Sequence, residues 1–320
     1  MNLDQGRPLL LDGAMGTQLL NSGFDLRRDF RGHKGAVDLL NLTRPEQVQA
    51  VHESYLDAGA RFLRTNTFLS SPPYLAERQL AREGEALLRA AVRAAREAIE
   101  AWCEPAAPGF VLGSLGPPAW RGGGSAAPAV WERAAAEQAS VLAALGVDGI
   151  LLETATSLDW LGAALRGLEG GAPGLPRLVS VALGADGNLL QSGNLRELAA
   201  LAEAAGVALV GINCSPGPAQ AARWLLELAE HYPGRLGLWP ATDQPREEPS
   251  SYTPADFAAA LAPALAHGRL ALVGACCGSR PAHIRALAER LGRAVPSHEW
   301  DQEDGPEDPL DTPGEDLLEG

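Results

Sequence analysis

Residues 270–278 read LALVGACCG: an apolar run, a glycine, then two adjacent cysteines before another glycine. A run this short, rich in Leu and Val and bounded by glycine, reads as a buried strand that ends at the cysteines. Seven runs of the same kind precede it. They are PLLLDGAM (8–15), ARFLRTNTF (60–68), GFVLGSLG (109–116), VDGILLET (147–154), RLVSVAL (177–183), VALVGINC (207–214) and RLGLWPA (235–241). Between them lie segments with helical spacing and helix punctuation. In TRPEQVQAVHESYLDAGA (43–60), Thr43 and Glu46 have capping-box spacing, Pro45 suits the first turn and Gly59 suits the stop. Val48, Val51, Tyr55 and Ala58 make one apolar stripe. Similar start signals stand at TSLD (156–159), NLRE (194–197), TPAD (253–256) and SRPA (279–282), and Ala76–Trp102 reads as one long helix or two.

Eight strand–helix units predict an α/β chain folded as a single (β/α)8 TIM barrel. The first two units are longer than the later ones, which predicts extra loop length near the N-terminus where a substrate lid could be built. The competing architecture is an open sheet binding a dinucleotide. Against it, DGAMGT stands after the first strand where G-x-G-x-x-G would be required. The glycine-rich RGGGS (121–125) lacks the Gly-Lys-Ser/Thr of a phosphate loop and reads as linker.

Composition narrows the class. Hydrophobic residues make up 46% of the chain, and no stretch approaches the roughly 18–20 apolar residues of a membrane span. The first residues lack a basic segment followed by a long apolar one, so no secretory signal is expected and a cytoplasmic protein is. Four cysteines in 320 residues make no disulfide framework, and free thiols fit a reducing compartment. Of the net charge of −14, ten acidic residues and no Lys or Arg lie from His298 onward. The expected organisation is therefore a barrel over 1–297 and a disordered acidic tail over 298–320. No basic stripe or aromatic platform suggests nucleic acid. Lys34, the only lysine, stands in a polar RGHKGAVD setting, which argues against Schiff-base chemistry.

In a barrel of this kind catalytic residues sit at the C-terminal ends of strands. Asp12 follows the first run, Asn66 and Thr67 the second, and Glu153 the fourth; Cys214 ends the sixth, and Cys276 and Cys277 end the eighth. Three of the four cysteines are thus predicted to meet at one mouth, while Cys103, on a helical stretch, reads as a small buried hydrophobe. Three thiolates with an open fourth position match a catalytic zinc site. Gly274 and Gly278 would let the chain leave extended geometry so that both adjacent sulfurs face the metal. Such a site suits holding a further thiol as thiolate, the nucleophilic form, for displacement chemistry such as alkyl transfer.

The stretches LDGAMGT, NLTRPEQVQAVHESYLDAGARFLRTNTF, GSLGPP, GVDGILLET, GINCSPGP and GACCGSRPAHI, in that order, carry a resemblance. Over about residues 8–293 the chain resembles the zinc-dependent homocysteine S-methyltransferase family. That family includes betaine- and S-methylmethionine-dependent enzymes and the homocysteine module of cobalamin-dependent methionine synthase. The resemblance implies Zn2+ held by Cys214, Cys276 and Cys277, and homocysteine methylated to methionine. Its implied donors are S-methylmethionine, S-adenosylmethionine, betaine or a methylcorrinoid/folate system. Asp12 and Glu153 would hold the substrate amino group, with its carboxylate on the loop from Gly13 to Thr17. Asn66 and Thr67 would orient the donor or hold their loop, and His283 would make a structural contact. Two other readings stay open: a homocysteine-activating subunit of a split methionine synthase, and a non-catalytic zinc- or thiol-binding protein of the same fold. The chain departs from the family pattern twice. Trp239-Pro240-Ala241 replaces Tyr-Pro-Asn, leaving water or Thr242 as the resting fourth ligand. Arg64 stands where the cobalamin-linked branch usually has Glu. It would disfavour a cationic donor, help bind an anionic one, or pair with a neighbouring carboxylate, the last being the expected outcome.

Overall fold

The computed structural model describes residues 3, 6–103, 107–117, 127–215, 217–242, 252–293 and 295. The acidic tail and the RGGGS stretch lie outside the described residues. Eight parallel strands run in the order β1-β8-β7-β6-β5-β4-β3-β2. They are β1 (Leu9–Leu10), β2 (Phe62–Arg64), β3 (Phe110–Leu115), β4 (Gly149–Ala155), β5 (Arg177–Val181), β6 (Leu209–Asn213), β7 (Leu236–Trp239) and β8 (Leu270–Val273). The first strand closes the ring on both sides. Leu9 pairs with Leu272, and on the other edge Leu11 bridges Phe62. The amide of Asp12 donates to the Phe62 carbonyl at 2.9 Å. The predicted barrel is formed.

A ring of helices surrounds it: α1 (Pro45–Asp57), α2 (Gly84–Trp102), α3 (Pro128–Ala144), α4 (Leu158–Gly171), α5 (Leu195–Ala204), α6 (Pro218–His231), α7 (Pro254–Ala260) and α8 (Pro281–Arg290). Alternation along each strand divides the core in two. Leu9, Leu11, Phe62, Leu112, Leu151 and Leu272 fill the barrel interior, whereas Leu10, Leu63 and Val111 pack outward against the helices. Fully buried Trp239 takes the place of a layer residue. Gly211 and Gly237 make room for it: a Cβ at either would stand 2.8 Å or 2.6 Å from the indole.

The extra N-terminal length folds into short helices, Met15–Leu20, Leu40–Thr43 and Pro72–Glu77. They bury small apolar clusters of their own, such as Leu19, Phe30, Leu40 and Val48. The Ala76–Trp102 stretch is divided, with α2 starting at Gly84. Asn194 and Thr253 cap α5 and α7 with side-chain acceptors as expected, whereas α4 is capped by Ser157, one residue after the expected Thr156. Two further caps differ. Thr43 ends the short helix before α1 and donates its hydroxyl to the Asp29 and Leu39 carbonyls, so α1 starts at Pro45 without a side-chain cap. Ser279 instead accepts the Ala14 amide at 3.0 Å, tying the loop after β8 to that after β1. At α8 the Arg280 amide donates to Nδ1 of His283, whose Nε2 lies 3.0 Å from the Tyr252 carbonyl; these are the structural contacts expected of His283.

Candidate active site

The sulfurs come from the ends of β6 and β8. Cys214 leaves β6 with φ of 43°, a left-handed conformation rare for a residue with a side chain. After β8 the chain is held to the loop after β7. The Cys276 amide donates to the Pro240 carbonyl (2.9 Å), and the Thr242 amide to the Cys277 carbonyl (3.0 Å). Gly278, at φ of 79°, supplies the turn. Gly274 serves a different purpose from the one expected: a Cβ there would stand 2.8 Å from the Asp12 carbonyl oxygen, so the glycine permits close approach of β1.

The result is a cluster in which the sulfurs of Cys214, Cys276 and Cys277 lie within 4.8 Å of one another. Sγ of Cys277 is 3.5 Å from that of Cys214 and 3.9 Å from that of Cys276. Cys214 and Cys276 are joined as a disulfide, which corrects the expectation of free thiols throughout. Convergence itself is the reason, since two thiols aimed at one point are within bonding reach. Tetrahedral zinc with Zn–S bonds of about 2.3 Å needs sulfurs about 3.8 Å apart, close to the two contacts of Cys277. The donor set therefore fits a metal once the bonded pair is reduced. Cys276 is buried, Cys214 half-buried and Cys277 exposed, so the cluster faces outward. Cys103, half-buried at the end of α2, takes no part in it.

The opposite side of the mouth is a buried charge cluster. Asp12, Arg64 and Glu153 are 1%, 7% and 6% exposed. Nε of Arg64 donates to Oδ1 of Asp12 (2.7 Å), Nη1 donates to Oε1 of Glu153, and the Arg64 amide donates to Oδ2 of Asp12 (2.9 Å). Nη2 faces the carbonyls of Asp12 (3.2 Å), Gly13 (2.7 Å) and Ala275 (3.0 Å). Glu153 also accepts from Ser114 Oγ (2.9 Å) and Trp239 Nε1 (3.2 Å). Arg64 thus pairs with a carboxylate as expected, and with both candidate carboxylates at once. Burial pushes the Asp12 carboxyl up to about 6 despite the guanidinium beside it. Burial opposes the charge on Arg64, but the two carboxylates outweigh it and raise its pKa further. His52, on α1, is buried with neither ring nitrogen partnered. Burial, helped by Arg64, pushes it down to about 3.

Besides the Arg64–Ala275 contact, a second polar link joins the two sides. Nδ2 of Asn213 donates to Oγ1 of Thr154 at 2.7 Å and lies 3.9 Å from Sγ of Cys276. Thr154, like Cys214, has a left-handed backbone (φ 59°), and the β4–β5 register shifts between Leu152 and Ala155. Sequence reasoning did not assign roles to Ser114, Thr154, Asn213 or Trp239. Ser114 had a usable signal: two residues after inward Leu112, it puts a hydroxyl at an interior position. The remaining expected residues are engaged in holding loops. Asn66 donates to the Val37 carbonyl and to Asn41, Thr67 donates to the Ser114 carbonyl, and Thr17 Oγ1 accepts from the Gly278 amide. A Cβ at Gly13 would meet Tyr55 and Ser279 at 2.6–2.7 Å. Thr242 Oγ1 donates to the Cys277 carbonyl at 3.3 Å.

Comparison with known proteins places this geometry. Residues 9–291 match the family model described as homocysteine S-methyltransferase. Methionine synthase of Mycobacterium leprae is 32% identical over 302 residues, covering 90% of this chain and 24% of that protein. Methionine synthase of Mycobacterium tuberculosis is 33% identical over 297 residues, with 88% and 24% covered. The chain thus spans about a quarter of the length of these relatives. Among solved structures, the homocysteine methyltransferase MmuM of Escherichia coli in its metallated form superposes with a TM-score of 0.75 at 26% identity, covering 90% of this chain and 98% of that one. The oxidized form of MmuM gives the same TM-score at 27% identity.

Proposed function

Since the chain belongs to the homocysteine S-methyltransferase family, we propose that it transfers a methyl group to the thiol of homocysteine, giving methionine. The observation that carries this reading is the meeting of three sulfurs from β6 and β8 at the open end of the barrel. Cys214, Cys276 and Cys277, once reduced, would hold Zn2+. Bound zinc would supply a Lewis acid that keeps an incoming thiol deprotonated at neutral pH, where a free thiol of pKa about 8.5 is mostly protonated. That MmuM exists in metallated and oxidized forms supports a cysteine site able to take either state.

The chain's own residues align the reactants. Strained backbone at Cys214 and the Cys276–Pro240 and Thr242–Cys277 hydrogen bonds fix the sulfurs before substrate arrives. Buried Trp239 and the interior leucines close the floor beneath them. The substrate thiolate then attacks the donor's methyl carbon, forming the S–C bond while the bond from donor to methyl breaks and its electron pair leaves with the demethylated donor. No side chain needs to donate a proton when the leaving group departs from an onium or methylcorrinoid centre. Asn66 and Thr67 act in this reading through the loop they hold.

The match to nearly the whole of MmuM favours a free small-molecule donor. The likeness to methionine synthase supports a second reading, a homocysteine-activating unit that works with a corrinoid or folate protein. One assay divides them: reduced, zinc-loaded protein with homocysteine and, in turn, S-methylmethionine, S-adenosylmethionine, betaine or methylcobalamin. Methionine from a free donor establishes the first. Homocysteine binding without turnover by any donor excludes the first and leaves the second or a non-catalytic thiol binder, and no binding refutes the reading.

A further inference from the structure

Two buried carboxylates converging from β1 and β4 beside a thiol site form a receptor for a cation. Here that position is filled by the chain itself. The guanidinium of Arg64 bonds both carboxylates, and every carboxylate oxygen of Asp12 and Glu153 already accepts at least one hydrogen bond. Arg64 is engaged by the chain's own acceptors on each nitrogen rather than turned to a substrate anion: Nε points at Asp12, Nη1 at Glu153 and Nη2 at three carbonyls. The cluster adjoins the sulfurs directly: Ala275, whose carbonyl faces Nη2, precedes Cys276. A guanidinium so placed occupies the space between the two acids and blocks an incoming ammonium there by volume.

We propose that Arg64 is a specificity-determining residue that replaces the ammonium of the acceptor. The substrate class of this site is then thiols recognised through sulfur, with an amino group contributing little to binding. The inference rests on the methyl-transfer reading of the same site. A receptor that reads an ammonium through charged hydrogen bonds favours the amino thiol by about tenfold or more. One that has internalised its cation does not.

The probes are L-homocysteine and 4-mercaptobutyrate, which share thiol and carboxylate and differ only in the amine. Calorimetric dissociation constants are measured for both on the reduced, zinc-loaded protein. Unmodified protein is expected to prefer homocysteine by less than about fivefold, and Arg64→Met, which vacates the carboxylates, by about tenfold or more. A preference of fivefold or more in the unmodified protein overturns the proposal while leaving methyl transfer standing. A folded Arg64→Met protein with the unmodified ratio also overturns it. Should that variant not fold, the unmodified protein decides alone. Binding of neither thiol defeats this inference and the functional reading together.

Discussion

The two sides of the barrel mouth solve opposite problems. On the carboxylate side every charged group is buried and answered by another part of the chain. On the sulfur side Cys277 is exposed, Cys214 is half-buried, and the backbone at Cys214 is held in an unfavourable conformation. The first side is a finished structural element, stabilised by its own completeness. The second is poised to bind something from outside, and its order comes from the surrounding loops. Buried polar groups in one protein therefore differ in kind according to whether their valences are closed within the chain.

This contrast can be broken by substitution. Cys277→Ala, on the open side, should leave the unfolding midpoint nearly unchanged while abolishing stoichiometric zinc. Methyl transfer should fall well beyond the ~100-fold typical of losing a group behind a ligand; metal analysis and methionine formation check this. Glu153→Gln, on the closed side, should do the reverse first. It leaves the buried guanidinium incompletely paired and should lower stability by about 3 kcal/mol in urea titration, with zinc retained. An unchanged midpoint would show that the charge cluster is less finished than it looks.

The smallest expected effect concerns pH. His52 lies behind Arg64 with its pKa depressed from 6.5 to about 3. Folding therefore favours the neutral ring. Its stabilisation is fully present above pH 6.5 and is lost as pH falls toward 3. Asp12 has the opposite sign, being raised to about 6, and its stabilisation fades as pH rises from 4 through 6. His52→Leu should be nearly neutral at pH 7 and more stable than the unmodified chain by on the order of 1–2 kcal/mol at pH 5. Paired melting curves at the two pH values isolate the histidine contribution, since the Asp12 contribution is common to both proteins.

The sulfur side was legible in the sequence because spacing alone carries it. Cysteines at the ends of the sixth and eighth strands of a barrel must lie near one another, whatever the details of the loops. The carboxylate side was only half legible. Strand ends located Asp12, Arg64 and Glu153, and a partner for Arg64 was expected, but nothing in the one-dimensional pattern says that one guanidinium reaches both acids. That depends on side-chain length and on the closeness of β1 to β8 that Gly274 allows. Left-handed Thr154 and Cys214 were invisible for another reason: neither residue type favours that conformation, so tertiary packing imposes it against local preference. Thr43 shows the converse, a sound capping pattern outcompeted by nearby carbonyls.

The position of the three mouth cysteines along the chain has a consequence for assembly. Asp12, Arg64 and Glu153 are all in place once the first half has been made, whereas Cys276 and Cys277 arrive on the final strand, which also seals the ring against β1. A nascent chain ending before β8 has a single mouth cysteine and no complete wall behind it. A metal held by all three sulfurs would therefore enter only after the circle is joined.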